Sequence, residues 1–114
     1  MNLEDFLKML ASSPESVQFS DTMAVIDKYY DFEKCVFLNG ALINQAGENS
    51  GSCKLFYFAK LQGLSKEQTL ACFGAYYWDD VLANPQGDSH QNIRNFIKTG
   101  WDGIQFLGTP LHLK

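Results

Sequence analysis

Apolar residues recur at helical spacing in five stretches of the chain, with short extended runs between and after them. Leu3, Phe6, Leu7 and Leu10 form one stripe, so the first helix packs by a single face. Asn2 can cap it, Glu4 and Asp5 suit its first turn, and Pro14 disfavours helical geometry at the preceding residue. A second helix is expected from Ser20, with Phe19 as the hydrophobic residue before the cap and Met23, Ile26, Tyr29 and Tyr30 inward. Asn39-Gly40 sits between apolar runs, which predicts a hairpin of strands 35–38 and 41–44. A third helix, Ser52 to Gln62, carries Leu55, Phe56, Phe58, Ala59 and Leu61 and closes at Gly63.

Ser65-Lys66-Glu67-Gln68 has the capping-box pattern and opens a fourth helix, continuous to Asn84-Pro85. Gly74 inside that helix costs about 1 kcal/mol relative to Ala, which predicts close approach of another backbone. Asp88 or Ser89 is expected to cap a fifth helix with Ile93, Phe96 and Ile97 inward, ending at Gly100-Trp101. The tail reads as two short strands, 103–107 and 111–113, around a turn. The pattern as a whole predicts an α+β single domain, 1–114, with about five helices packed on one small antiparallel sheet.

The stretch from Asn39 to Cys53 departs from the pattern. It holds three Gly, three Asn, two Ser and one Gln but only one charge, Glu48. Amides, hydroxyls and glycines suit a loop folded on itself by side-chain to main-chain hydrogen bonds. This loop meets a helix start, where main-chain N–H groups lack intrahelical partners. Capping is its plainest use; a binding surface is the other.

Composition narrows the function classes. The chain is 46% apolar and 14% aromatic, enough for one core without metal or disulfide support. Net charge −4 and a pI of about 4.9 argue against non-specific binding to nucleic acid or anionic membrane. No apolar run approaches the roughly 20 residues that span a bilayer, and the acidic first turn does not read as a signal peptide. Cys35, Cys53 and Cys72 are an odd set without a C-x-x-C pair, which fits a reducing compartment and a cytoplasmic protein.

Cys53 is the sharpest candidate for chemistry. It falls in a helix's first turn beside Lys54, where the dipole lowers a thiol pKa. His90 would be its base, with Asn49 or Asn92 as orienting or oxyanion groups. This gives one reading, a small cysteine-dependent acyl-transfer enzyme or hydrolase. The other is a binding domain whose polar surface joins Asn39, Asn44, Asn49, Ser50 and Ser52 to Asn92, Arg94 and Asn95. Arg94, the only arginine, or Asn95 is expected to tie its helix to the polar loop. The two histidines lack ligand spacing, Asp79-Asp80 reads as helix surface, and G-x-x-x-x-G-K-[ST] is absent, so neither metal nor cofactor is expected. In Tyr76-Tyr77-Trp78 at least one ring must be exposed and would mark a contact surface.

The runs Phe37-Leu38-Asn39-Gly40, Asn44 to Lys54, Gln68 to Gly74 and His90 to Phe96 with Gly100-Trp101 resemble the HopJ (HopPmaJ) type III effector family over nearly the whole chain. The resemblance implies a small single-domain bacterial protein; it carries no catalytic mechanism or cofactor. It also implies export into a host cell. The acidic amphipathic start departs from the flexible, serine-rich segment such export uses, so residence in the bacterial cytoplasm is the expectation. The partner is expected to be a small polar ligand or a protein.

Overall fold

Helix α3 (Ser50–Gln62) runs through the middle of the molecule. Cys53, Leu55, Phe56, Phe58 and Ala59 are all buried in it, more than one face's worth, as befits a helix covered on several sides. The computed structural model describes residues 1–114. Around α3 stand α1 (Leu3–Ser12), α2 (Phe19–Tyr29), α4 (Lys66–Ala71) and α5 (Gln91–Thr99), with short 3-10 turns at Pro14–Ser16 and Gly100–Gly103. Phe56 holds the core together, with ring centroids 4.9 Å from Phe96, 5.4 Å from Phe73 and 6.2 Å from Phe37.

The expected α+β class stands, but the sheet is divided in two. Strands β2 (Phe37–Asn39), β3 (Leu42–Asn44) and β4 (Ile104–Phe106) form an antiparallel sheet in the order β3-β2-β4. Strands β1 (Tyr30–Phe32) and β5 (Leu111–Leu113) pair separately, Tyr30 opposite Leu113. The two tail strands therefore do not pair with each other; Gly108-Thr109-Pro110 carries the chain from one sheet to the other.

The hairpin forms with its loop shifted by one residue. Asn39 pairs with Leu42, so the two-residue loop is Gly40-Ala41, with Gly40 at φ +61° in its first position. Asn39 is thereby a strand residue with a fully buried side chain.

The continuous fourth helix does not exist. The α-helix ends at Ala71, Gly74 takes φ +61°, and Tyr76–Val81 winds as a π-helix. The cause is the close approach anticipated for Gly74: a Cβ there would lie 2.8 Å from the Phe19 main-chain N and 3.1 Å from Gln18 Cα. The entry to α2 presses against this break. Gln18, not Ser20, starts that helix, its N–H donating to Asp21 Oδ2 at 3.0 Å. Thr22 Oγ1 donates to the Cys72 carbonyl at 2.8 Å and fixes the junction from inside.

Candidate functional site

The polar loop and the 88–95 segment meet through a web of asparagines. Asn92, on the first turn of α5, is the centre. Asn44 Nδ2 donates to Asn92 Oδ1 at 3.1 Å, and Asn92 Nδ2 returns a bond to Asn44 Oδ1 at 3.0 Å. Asn39 Nδ2 donates to the Asn92 carbonyl at 2.7 Å and to its Oδ1 at 3.0 Å. Asn49 Nδ2 adds a bond to Asn44 Oδ1 at 2.8 Å, and Asn95 Nδ2 reaches the Asn39 carbonyl at 3.2 Å. Asn39, Asn44 and Asn92 are buried, so these amides depend on one another rather than on water. Among the buried amide atoms of the web only Asn39 Oδ1 lacks a partner.

The loop is braced on its own side as well. Gln45 N–H donates to Glu48 Oε1 at 2.9 Å, and Ser50 Oγ donates to the Gly47 carbonyl at 3.3 Å. Asn49 then enters α3 in the left-handed region, φ 51°. His90 enters α5 with the same φ, 51°, where Asp88 or Ser89 was expected as the cap. These are the only residues other than glycine with positive φ, and Asn and His are among the types that tolerate it best. Neither supplies a side-chain cap, so the first N–H groups of both helices, at Ser50–Ser52 and at Gln91 and Asn92, have no protein acceptor.

Both helix starts open into one cleft of about 480 Å³. Its polar lining is Asn49, Gly51 and Ser52 at the start of α3 and His90, Gln91 and Asn92 at the start of α5. The apolar lining is Phe19, Leu42, Phe73, Tyr76 and Ile93. His90 is held from the π-helical segment, with Nε2 3.0 Å from Asp80 Oδ2 and its ring 5.0 Å from that of Tyr76. No lysine or arginine lines the cleft.

The remaining candidates lie elsewhere. Cys53 is 1% exposed and does not line the cleft. Burial pushes its thiol from 9 up to about 12, with Cys35 adding to the effect, so desolvation overrides the helix dipole that was expected to lower it. With its thiol buried, neutral and outside the cleft that His90 lines, Cys53 lacks the physical basis for the nucleophile that was expected to pair with a His90 base. Arg94 ties down its own approach rather than the polar loop. Its Nε donates to the Ser89 carbonyl and its Nη1 to that of Asn84 at 2.9 Å. Asn95 is the residue that makes the expected tie.

Phe19, Phe73, Tyr76 and Asp80 were not singled out as site residues. The aromatic run at 76–78 signalled an exposed ring, and Tyr76 is 43% exposed. Asp80 carried no signal, because an α-helical reading puts it on the surface. No three or more His, Cys, Asp and Glu side chains gather where a metal could sit, and no helix is long and apolar enough to cross a membrane.

No curated protein matches the chain. The crystal structure of a protein of unknown function, VPA0580, is similar along its whole length, with 55% identity and a TM-score of 0.98, covering 100% of this chain and 95% of that one. The family model described as HopJ type III effector protein matches residues 3–111, which takes in the asparagine web, both helix starts and the π-helical segment. The chain therefore belongs to the HopJ type III effector protein family.

Proposed function

We propose that this HopJ protein works by binding, and that the cleft between the starts of α3 and α5 takes a small ligand with a hydrogen-bond-accepting head and an apolar body. The observation that carries the reading is that two helix starts, both without side-chain caps, open into the same cleft. Their N–H groups and the positive ends of two helix dipoles favour an acceptor such as a carboxylate or amide oxygen. With no lysine or arginine in the lining, a singly charged or neutral head suits the site better than a phosphate. Phe19, Phe73 and Tyr76 offer the ligand's body an aromatic wall.

The test is a screen of small carboxylates and primary amides followed by 1H–15N shifts. Binders are expected to move Gly51, Ser52 and Gln91, and Ser52→Ile, which fills the cleft, should abolish those shifts while the rest of the spectrum persists. Binding that survives Ser52→Ile would discard the cleft.

The bacterial cytoplasm is the setting this reading takes, supported by three free, buried thiols. Family membership brings delivery into a host cell as the alternative setting. A reporter fused to the first helix and assayed in a type III-competent strain separates the two, and cytoplasmic residence predicts retention.

A further inference from the structure

Asn39-Gly40 is the chain's only Asn-Gly pair, and it stands where the hairpin turns. In a flexible chain such a pair is chemically labile, because no Cβ shields the glycine nitrogen from the side-chain amide. That nitrogen, once deprotonated, attacks the amide carbon and closes a five-membered ring. In the folded protein each participant is restrained. The Gly40 N–H donates to the Gly103 carbonyl at 2.9 Å, and a Cβ on Gly103 would lie 3.0 Å from the same nitrogen, so main chain covers it closely. Asn39 Nδ2 is bound twice, to the carbonyl and to Oδ1 of Asn92. Asn39 Oδ1 receives no hydrogen bond, so nothing there would stabilise the charge that ring closure places on it. The side chain is fully buried, away from hydroxide and water.

Both restraints come from one stretch of chain. Asn92 and Asn95 lie on α5, and Gly103 ends the 3-10 turn that follows it. Release of this stretch from the hairpin frees the Asn39 amide and the Gly40 nitrogen together.

We propose that Asn39 is a latent deamidation site, switched on when residues 92–103 leave the hairpin. Hydroxide takes the Gly40 N–H proton, and the nitrogen attacks Asn39 Cγ. The bond from Cγ to Nδ2 then breaks, and ammonia leaves with a proton from water. Water opens the resulting succinimide at either carbonyl, which leaves aspartate or isoaspartate; the step consumes nothing else. The product cannot take the amide's place. A carboxylate has no N–H for Asn92, and it sets a buried negative charge against the Asn92 carbonyl and Oδ1. Isoaspartate also adds a methylene to the main chain just before the loop, which disturbs the pairing of Asn39 with Leu42. A copy that stays open long enough to react does not close again, so opening is recorded in covalent form. This chemistry does not depend on what the cleft binds.

The test incubates the unaltered chain at pH 8 over a range of urea concentrations. Fragment-ion mass spectrometry follows Asn39 and resolves it from Asn44 and Asn49. Loss of the Asn39 amide is expected to be about a hundredfold slower in the folded chain than in fully denaturing urea. At intermediate urea it should rise with the denaturant dependence of amide exchange at residues 37–44. Gly40→Ala, compared in denaturing urea where the fold plays no part, should slow the loss about tenfold. Asn92→Ala should speed the native rate about thirtyfold, which is about 2 kcal/mol at about 1.4 kcal/mol per tenfold. Should that variant fail to fold, Asn95→Ala, which removes one bond to the Asn39 carbonyl, is expected to act in the same direction. Asn39→Asp should lack the parent's Asn92 side-chain amide shifts at pH 7. Equal rates in folded and unfolded chains overturn the latent site, as does a native rate indifferent to these variants or one that follows only global unfolding. An Asn39→Asp variant with the parent's shifts overturns the one-way step.

Discussion

Asn92 is the side chain on which the site depends most. Its amide oxygen accepts from Asn39 and Asn44, and its nitrogen donates to Asn44. Truncation would leave two buried amides short of partners, at about 1–3 kcal/mol for each group left unsatisfied. Asn92→Ala is expected to lower unfolding free energy by about 2–4 kcal/mol in urea at unchanged m-value. Arg94→Ala should leave the web intact and loosen only residues 84–89, which amide exchange can show. The thiols give a second prediction. Folding raises Cys53 and Cys72 to about 12 from 9, chiefly by burial. The unfolded chain therefore releases protons first as pH rises. The stability these thiols contribute is fully present below about pH 9 and is lost progressively towards pH 12. Urea titrations at pH 8 and pH 10.5 should show the decline, and Cys53→Ala with Cys72→Ala should flatten it relative to the variant's own baseline. Iodoacetamide at pH 8 should label Cys53 and Cys72 only as fast as the protein unfolds.

At the scale of elements, the break after α4 and the end of α5 show two different uses of glycine. Gly74 and Gly100 both have positive φ, +61° and +59°. A Cβ at Gly74 would strike the main chain of α2's entry at 2.8 Å, whereas at Gly100 it would make an ordinary 3.7 Å contact with Lys66 Cδ. Gly100→Ala is expected to cost about 1–3 kcal/mol for conformation alone, because φ 59° with ψ −153° is not the αL cap geometry but a region open essentially to glycine, and Gly74→Ala is expected to cost more, because backbone must also move. Thermal unfolding of the two variants side by side checks the order. The same comparison explains what could be read from the chain and what could not. Periodicity found the helices because Leu3, Phe6, Leu7 and Leu10, or Ile93 and Phe96, keep one face to the core. It missed the break because Leu70, Phe73, Tyr77 and Val81 keep that spacing too. The break sits where Gln18 and Phe19, more than fifty residues earlier, press against Gly74, a neighbour that periodicity along the chain does not reveal. The expected meeting of the polar loop with residues 88–95 came from amides without charges to solvate them, and the asparagine web is that meeting. The contact of Asp80 with His90 is a pairing between two segments, which the spacing of apolar residues does not reveal.

Across the whole molecule the strand pairings are the least local feature and the least legible one. Nothing in the tail says that Ile104–Phe106 joins β2 while Leu111–Leu113 joins β1. The web links the hairpin to α5 across 48 residues of sequence. Residues 37–44 and 92–96 should accordingly open together in native-state hydrogen exchange, with one free energy and one denaturant dependence. Separate opening would mean that the loop is rigid for reasons of its own. The web also governs pairing in the hairpin. Phe37, Asn39, Leu42 and Asn44 share the inward face while Leu38 and Ile43 point out. A slip by one residue would turn Asn44 to solvent and push Ile43 against the Asn92 amide. Correct pairing is thus verified only when α5 docks. A ribosome-bound chain that has not yet delivered residue 92 lacks the amide that fixes this register, so the hairpin of a newly made copy stays free to slip until α5 has emerged and docked.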